Sequence, residues 1–186
     1  MSERMSDDLL VRTMRPDEFD SMRTVSVAAF GGDEHIGRLL DVLRASWAWD
    51  DELSFVAERG GEVVGHVLYS HAWLDATERL VDVLLLSPIG VRPDVQRAGI
   101  GSALMHASAE ALATRDEPLV FLEGHPSYYP RFGFVRGSTL GFSAPSVRIP
   151  DAAFMVRPLR RYEPWMRGAL VYPDAFWRTD TVGLRA

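Results

Sequence analysis

One stretch of the chain limits its possible folds more than any other, because an apolar run passes through a glycine-bearing bend into an amphipathic helix. It runs from Ile89 to Ser102 and reads Ile-Gly-Val-Arg-Pro-Asp-Val-Gln-Arg-Ala-Gly-Ile-Gly-Ser. The first amide groups of a helix lack helical partners and carry partial positive charge, so they favour phosphate oxygens. Gly99 and Gly101 have no Cβ, which lets a phosphate approach the backbone. The stretch predicts a strand, an anion-binding loop and a helix.

Length and composition indicate one globular domain. The chain has 186 residues, of which 47% are apolar and 25% are charged. No segment reaches the roughly 18 consecutive apolar residues of a membrane span, and the N-terminus lacks the basic and apolar regions of a secretory signal. We therefore expect a cytoplasmic protein without a membrane partner, and a disordered tail over residues 1–8.

Two missing residue types exclude several kinds of chemistry. Cysteine is absent, which removes disulfides, thiolate nucleophiles and cysteine-built metal sites. Lysine is also absent, since all twenty basic residues are arginine, so neither a Schiff-base lysine nor a phosphate-loop lysine exists. The histidines lack metal-binding spacing, and no metal site is expected; they are His35, His66, His71, His106 and His125.

The charge argues against nucleic acid as the partner, because the net charge is −6. It is unevenly distributed: residues 1–60 carry thirteen acids and seven arginines, whereas residues 127–167 carry seven arginines and two acids. One interpretation is an ordinary solvated surface. The other is an acidic half that attracts a cationic acceptor and an arginine-bearing half near an anionic cofactor.

The hydrophobic periodicity predicts an α/β domain of alternating strands and helices. Pro88 cannot donate a ladder hydrogen bond, so its strand should bulge or splay near its end. Residues 137–150 are expected to form a long loop or hairpin. Strands are predicted at 9–14, 53–58, 62–72, 80–91, 119–122, 134–135, 153–156 and 169–172, and helices at 18–30, 34–46, from 100 to about 115, and briefly at 128–132. The third of these helices should bury Ile100, Ala103, Leu104, Ala107, Ala111 and Leu112.

The motifs around the bend select one cofactor class. Leu104 stands where a dinucleotide fingerprint needs a third glycine. The segment 91–101, with its Gln96-Arg97-Ala98-Gly99-Ile100-Gly101 core, resembles the acyl-CoA signature Gln/Arg-x-x-Gly-x-Gly/Ala of the GNAT superfamily of N-acyltransferases. The segment 124–134 is similar to a second hallmark of that superfamily, a tyrosine four residues before Gly-Phe, in the Tyr-Tyr-x-Arg-Phe-Gly-Phe form of a bacterial branch.

The resemblance implies a GNAT-like domain over residues 9–160, with a mostly antiparallel sheet that splays at its fourth and fifth strands and is flanked by helices. Residues 161–186 would form an aromatic-rich extension packed on that domain. The implied activity is transfer of an acetyl group from acetyl-CoA directly to a primary amine of a small molecule or peptide. The alternative is a non-catalytic acyl-CoA-binding or protein-interaction module of the same fold.

The resemblance also implies where acetyl-CoA binds. The amides of Gln96, Arg97, Ala98, Gly99, Ile100, Gly101 and Ser102 would bind the pyrophosphate. Ile89, Gly90 and Val91 would pair with the pantetheine arm, because an extended amide chain can bond to a strand edge that has come apart. Arg92 and Arg97 are either phosphate contacts or solvated arginines.

Three residues are candidates for proton transfer. Tyr129 matches the family tyrosine that protonates the departing thiolate; otherwise it is a core tyrosine, or Tyr128 takes one of the two roles. An acceptor amine is mostly an ammonium at neutral pH, so the reaction also needs a base. Glu123 is the best candidate by position and His125 is the other. Their alternative roles are a surface-capping glutamate and a histidine that closes the turn, and a water chain is the third route for the proton. The family often has an asparagine in this region, which here reads Leu-Glu-Gly-His at 122–125.

Two further segments carry open alternatives. The acids of the loop 31–35 either line an acceptor pocket or cap a helix. The C-terminal aromatics either form a strand-like lid over the core or a homodimer surface. These aromatics are Trp165, Tyr172, Phe176 and Trp177.

Overall fold

The computed structural model describes residues 9–183; the predicted tail over residues 1–8 and residues 184–186 lie outside the described residues. Within that range the chain forms nine strands and four α-helices. The strands are β1 (Leu9–Thr13), β2 (Ser54–Arg59), β3 (Glu62–Ala76), β4 (Leu80–Val91), β5 (Leu119–Glu123), β6 (Val135–Arg136), β7 (Phe142–Ser143), β8 (Phe154–Pro158) and β9 (Gly168–Val171). The helices are α1 (Phe19–Ala29), α2 (Glu34–Arg44), α3 (Ile100–Leu112) and α4 (Asp174–Arg178).

One mixed sheet contains all nine described strands. In the order β1-β2-β3-β4-β5-β8-β6, neighbouring strands are antiparallel except β4 and β5, which are parallel. β9 lies beside β3 beyond the end of β2, and it pairs in parallel with β7. The predicted fold class, an α/β domain with a mixed and mostly antiparallel sheet, is confirmed.

Strands β4 and β5 separate soon after they meet. They pair at only two positions, Leu84 with Val120 and Leu85 with Phe121. Residues 86–91 of β4 continue beyond this pairing. The predicted splay between the fourth and fifth strands is confirmed, and it leaves the end of β4 open on the β5 side.

A β-bulge lies in β4 at Ser87 and Pro88, where the pairing with β3 shifts by one residue. Proline has no amide hydrogen and cannot complete the ladder, which is why the sequence predicts a bulge at this point. The bulge therefore lies within the part of β4 that has no β5 partner.

The core fills both faces of the sheet. Helices α1 and α2 cover one face together with the C-terminal segment, through buried residues such as Met22, Leu40 and Phe176. Helix α3 and the turn after β5 cover the other face, through residues such as Leu104 and Phe132. Strand β4 contributes to both clusters, as expected from its continuous apolar run.

Helix α3 differs from its prediction in extent and in buried face. It ends at Leu112, before Arg115, and Ala111 is exposed. Ser108 is buried instead, and a hydrogen bond of 2.7 Å between its hydroxyl and that of Tyr69 satisfies the buried polar group. The buried positions are Ile100, Leu104, Met105, Ser108 and Leu112. None of the helices within residues 9–183 has the length and apolar surface that a bilayer crossing requires.

Candidate active site

A cavity of about 540 Å³ lies between the open end of β4 and the start of α3. Of the ten cofactor-binding residues predicted from the sequence, nine line it and Ala98 does not. The four other lining residues come from the end of α1 and the turn after β5, which the sequence motif does not include. They are Ala29, Phe30, Tyr128 and Arg131.

The loop before α3 has the geometry of an anion-binding nest. Arg97 and Gly99 both have left-handed backbone conformations, with φ of 62° and 81°. Such conformations turn successive amide groups toward a common point. The amide of Ala103 donates to the carbonyl of Gly99 at 3.0 Å, so the amides of residues 100–102 precede the first helical hydrogen bond. They are available to oxygens of a phosphate.

Tyr128 lies over this helix start. A Cβ placed on Gly101 would come within 3.0 Å of the Tyr128 hydroxyl oxygen, so a side chain at that position would crowd Tyr128. The Arg131 guanidinium lies 4.4 Å from the centre of the Tyr128 ring, and its Nε donates to the Tyr128 carbonyl at 2.9 Å. Arg97 and Arg131 therefore give the cavity two positive charges, and no carboxylate lines it among the residues described.

Helix α1 forms a close wall beside the open strand. A Cβ on Gly90 would lie only 2.8 Å from the Cβ of Ala29, which explains the glycine. The buried His66 ring joins α1 to the sheet, with Nδ1 3.2 Å from the Ser26 hydroxyl and Nε2 3.1 Å from the Ser54 hydroxyl. Burial lowers the pKa of His66 to about 3, so this link is uncharged at neutral pH.

A second cavity, of about 550 Å³, adjoins the first and shares Phe30 and Ile89 with it. Its walls come from four separate parts of the chain, within residues 30–39, 86–89, 123–129 and 180–183. Three carboxylates line it, from Asp33, Glu123 and Asp180, and no arginine is among its described lining residues. The two adjoining cavities therefore carry charges of opposite sign.

The loop before α2 combines the two roles predicted for it. Asp33 lines the second cavity and also caps α2, because its carboxylate accepts a hydrogen bond from the His35 amide at 2.9 Å. Glu34 is turned away and pairs with Arg23 at 3.2 Å. Only the first acid of the loop therefore contributes to the cavity.

Glu123 ends β5 at the base of the second cavity. Its Oε1 accepts a hydrogen bond from the Gly183 amide at 3.1 Å, whereas its buried Oε2 has no hydrogen-bond partner among the described residues. Burial raises the pKa of Glu123 to about 7, against the lowering effects of the Gly183 amide and the Arg148 charge. The carboxyl group can therefore both accept and release a proton near neutral pH.

Tyr129 lines the same cavity as Glu123 and is 9% exposed. Its ring occupies the space that a side chain at position 124 would need, so Gly124 is required there. Burial, followed by the neighbouring Tyr128 and Tyr69, raises the pKa of the Tyr129 phenol above its ordinary value. The phenol therefore stays protonated and can serve as a proton donor.

His125 lies apart from both cavities. It is exposed, and its Nδ1 is 2.9 Å from the Ser127 hydroxyl, within the turn after β5. Neither cavity includes it among the lining residues. The structure thus places two of the three predicted proton-transfer residues together and leaves the histidine outside.

The fold also brings together a cluster that no spacing in the sequence indicates. Possible ligand atoms of His71, Asp82 and Glu117 lie within 4.8 Å of one another. Arg115 forms ion pairs with Glu117 at 2.7 Å and with Asp50 at 3.0 Å. The chain itself thus supplies positive charge to this cluster, which lies outside both cavities.

Comparison with known proteins agrees with this geometry. A family model described as the acetyltransferase (GNAT) domain matches residues 50–136, which include the loop before α3, Glu123 and Tyr129. The uncharacterized N-acetyltransferase YjhQ of Escherichia coli (strain K12) is 32% identical over 113 residues, or 61% of this chain and 62% of that protein. The chain therefore spans less than two thirds of the length of this relative.

Two solved structures share the fold. A GNAT family acetyltransferase from Brucella melitensis, in complex with acetyl-CoA, superposes with a TM-score of 0.71 and 29% identity over 90% of this chain and 97% of that one. The GNAT family N-acetyltransferase YhbS from Escherichia coli, in complex with CoA, gives a TM-score of 0.83 and 20% identity over 99% and 98% of the two chains. The chain thus carries a GNAT acetyltransferase domain over residues 50–136, and it shares the fold of two GNAT family acetyltransferases that were solved with CoA or acetyl-CoA.

Proposed function

We propose that this protein transfers the acetyl group of acetyl-CoA directly to a primary amine of a small molecule or protein. The observation that carries the proposal is the opposite charge of the two adjoining cavities. Arg97 and Arg131 line the first cavity, here called the cofactor cavity, where an anionic cosubstrate would bind. Asp33, Glu123 and Asp180 line the second, here called the acceptor cavity, where an ammonium group would be attracted.

The first cavity fits acetyl-CoA, which supplies the acetyl group as an activated thioester. The amides of residues 100–102 would receive the diphosphate, and glycine at position 101 adds no side chain that would obstruct them. Residues 89–91 of β4 have no β5 partner and can pair with the amides of the pantetheine arm. Phe30 and Ile89 line both cavities, so the thioester would lie where the cavities meet.

Glu123 is the base in this proposal, because it lines the acceptor cavity and His125 does not. A primary ammonium has a pKa of about 10.4 and cannot attack until it loses a proton. Glu123 accepts that proton, and the amine nitrogen attacks the carbonyl carbon. A C–N bond forms, the C–S bond breaks, and Tyr129 donates its proton to the departing sulfur. The second proton that the nitrogen loses as the amide forms returns Tyr129 to its phenol form by way of solvent, and Glu123 releases its proton to water. The products are an acetylated amine and free CoA.

The first test measures thiol release from acetyl-CoA with a panel of amines: a polyamine, an aminoglycoside, amino acids and a peptide with a free N-terminus. The chain contains no cysteine, so every thiol detected comes from CoA. We expect release to depend on at least one amine and to match the amount of acetylated product. Acetyl-CoA binding with no acceptor in the panel would favour the non-catalytic module, and no CoA binding by calorimetry would overturn both.

Tyr129 can be tested against its neighbour. We expect Tyr129→Phe to lower kcat about tenfold, a modest effect because a thiolate is already a tolerable leaving group near neutral pH. Tyr128→Phe is the matched comparison, because Tyr128 lines the other cavity. It should alter acetyl-CoA affinity more than kcat. The reverse pattern, with kcat lost in Tyr128→Phe alone, would transfer the acid role to Tyr128.

A further inference from the structure

The C-terminal segment reaches into the acceptor cavity. Asp180, Thr181 and Gly183 line it, although they follow Glu123 by more than fifty residues in the chain. The Gly183 amide donates to Glu123 Oε1 at 3.1 Å, and within residues 9–183 no other group forms a hydrogen bond with that carboxylate. No family motif and no periodicity in the sequence points to these residues.

The backbone of this segment is built for that contact. Asp180 and Gly183 both have left-handed conformations, with φ of 59° and 83°. The Thr181 amide donates to the Phe176 carbonyl at 3.0 Å, which folds the chain back from α4 toward β5. A Cβ on Gly183 would lie 2.9 Å from the Arg148 Cβ. Conformation and space both require glycine at the position that holds Glu123.

Tyr172 is the second group that the segment brings to this carboxylate. It is 5% exposed, its ring packs 5.1 Å from that of Phe176, and its hydroxyl has no hydrogen-bond partner in the described part of the chain. The same is true of Glu123 Oε2. Burial, and next the Glu123 charge, raise the pKa of Tyr172 well above its ordinary value.

We propose that the Gly183 amide and the Tyr172 hydroxyl are positioning groups that orient the Glu123 carboxylate, so that residues 172–183 are a working part of the acceptor site. The inference rests on the proposed role of Glu123 as the base. The Gly183 amide already donates to Oε1, and a hydrogen bond from the Tyr172 hydroxyl to the ionised Oε2 would satisfy two buried polar atoms that otherwise have no partner among the described residues. Both donors favour the ionised form that accepts a proton from the acceptor.

Several other charged or titratable groups lie around Glu123. Arg148 approaches from the loop before β8 and stabilises the ionised form. Tyr129, Asp33, His35 and Asp180 line the same cavity from the turn after β5, the loop and start of α2, and the C-terminal segment. Tyr172→Phe changes none of these side chains, whereas a Cβ at position 183 would also meet the Arg148 Cβ at 2.9 Å.

The test follows the Glu123 carboxyl carbon by NMR in the isotope-labelled full-length protein without substrate. We expect Tyr172→Phe to raise the Glu123 pKa by about 0.5 to 1 pH unit, because the ionised form loses a donor while ring packing is kept. Gly183→Ala should act in the same direction by displacing the amide. Tyr162→Phe and Gly141→Ala are the controls; Gly141 shares the φ of 83°, and neither residue lines the acceptor cavity.

The pH dependence of kcat/KM distinguishes a change in the Glu123 pKa from a general loss of stability. The acidic limb of kcat/KM against pH should move upward in Tyr172→Phe by the same amount as the Glu123 titration, and acetyl-CoA affinity should stay unchanged. A Glu123 titration identical to wild type in both variants would overturn the inference. A shifted titration in a protein that acetylates no amine would support the positioning role and contradict the proposed function.

Discussion

Glu123→Gln is expected to lower kcat/KM for an amine acceptor by about a thousandfold at pH 7, within the range for loss of a general base. Glutamine keeps the shape and can still accept the hydrogen bond from the Gly183 amide. It cannot take a proton from the acceptor ammonium. Acetyl-CoA binding should be unchanged, because Glu123 does not line the cofactor cavity.

The pKa of Glu123 determines how the kcat/KM values of wild type and Glu123→Gln change with pH. Burial raises the pKa of Glu123 to about 7, so the ionised base increases as the pH rises through that value. Wild-type kcat/KM should rise up to about pH 7 and then level until the amine itself loses its proton near pH 10. The variant can use only amine that is already neutral in solution. Its kcat/KM should rise about tenfold per pH unit, and its deficit should shrink accordingly.

Glu117→Gln is the matched control for Glu123→Gln. Glu117 is also buried, but it lies outside both cavities and pairs with Arg115 at 2.7 Å. Its substitution should reduce stability without changing the pH profile of turnover. Equal rates in wild type and Glu123→Gln at every pH would exclude Glu123 as the base, leaving another residue or bound water for that role.

The sequence predicted the fold well where the signal is local. Alternating apolar residues located most of the strands, and the missing amide hydrogen of Pro88 predicted the bulge in β4. Helix α3 was the exception, because burial of Ser108 depends on a hydroxyl pair with Tyr69 from a distant strand. A polar side chain is assigned to the surface by periodicity, and only its tertiary partner shows otherwise.

For the same reason, the lining residues of the cofactor cavity could be predicted from the sequence more completely than those of the acceptor cavity. The cofactor cavity is mostly one continuous stretch, residues 89–102, so a motif describes nine of its thirteen lining residues. The acceptor cavity is assembled from four segments between residues 30 and 183. Tyr129 was predicted because it belongs to the motif at residues 124–134, and Glu123 because it immediately precedes that motif. Asp180 and Gly183 were not, because no local pattern connects them to β5.

Charge distribution along the chain is a poor guide to charge in space. Of the seven arginines within residues 127–167, only Arg131 lines the cofactor cavity. Several others form ion pairs at the surface, such as Arg136 with Asp151 at 3.3 Å. Arg92 likewise pairs with Glu62 and Asp94, and it does not line the cavity. The electrostatic separation comes from which few side chains face each cavity.

Substitution of Gly99 by glutamate should weaken acetyl-CoA binding at least about 100-fold, or about 2.8 kcal/mol of binding free energy. A carboxylate at the start of α3 would occupy the amides of residues 100–102 and repel the diphosphate. Calorimetric titration with acetyl-CoA measures the change. The loss should appear in turnover as a raised KM for acetyl-CoA.

Gly61→Glu separates this loss from backbone strain. Gly61 and Gly99 share a φ of 81°, and a Cβ on either one would meet no atom within 4 Å. Both substitutions therefore strain the backbone equally, but Gly61 lies in the turn between β2 and β3 and lines no part of the cofactor cavity. Gly61→Glu should destabilise the fold by a similar amount and leave acetyl-CoA affinity within about twofold of wild type.

Gly99→Asn adds no charge, and asparagine tolerates the left-handed conformation. Its acetyl-CoA affinity should lie between those of Gly99→Glu and Gly61→Glu. A folded Gly99→Glu protein that binds acetyl-CoA as tightly as wild type would show that the diphosphate does not bind at the start of α3.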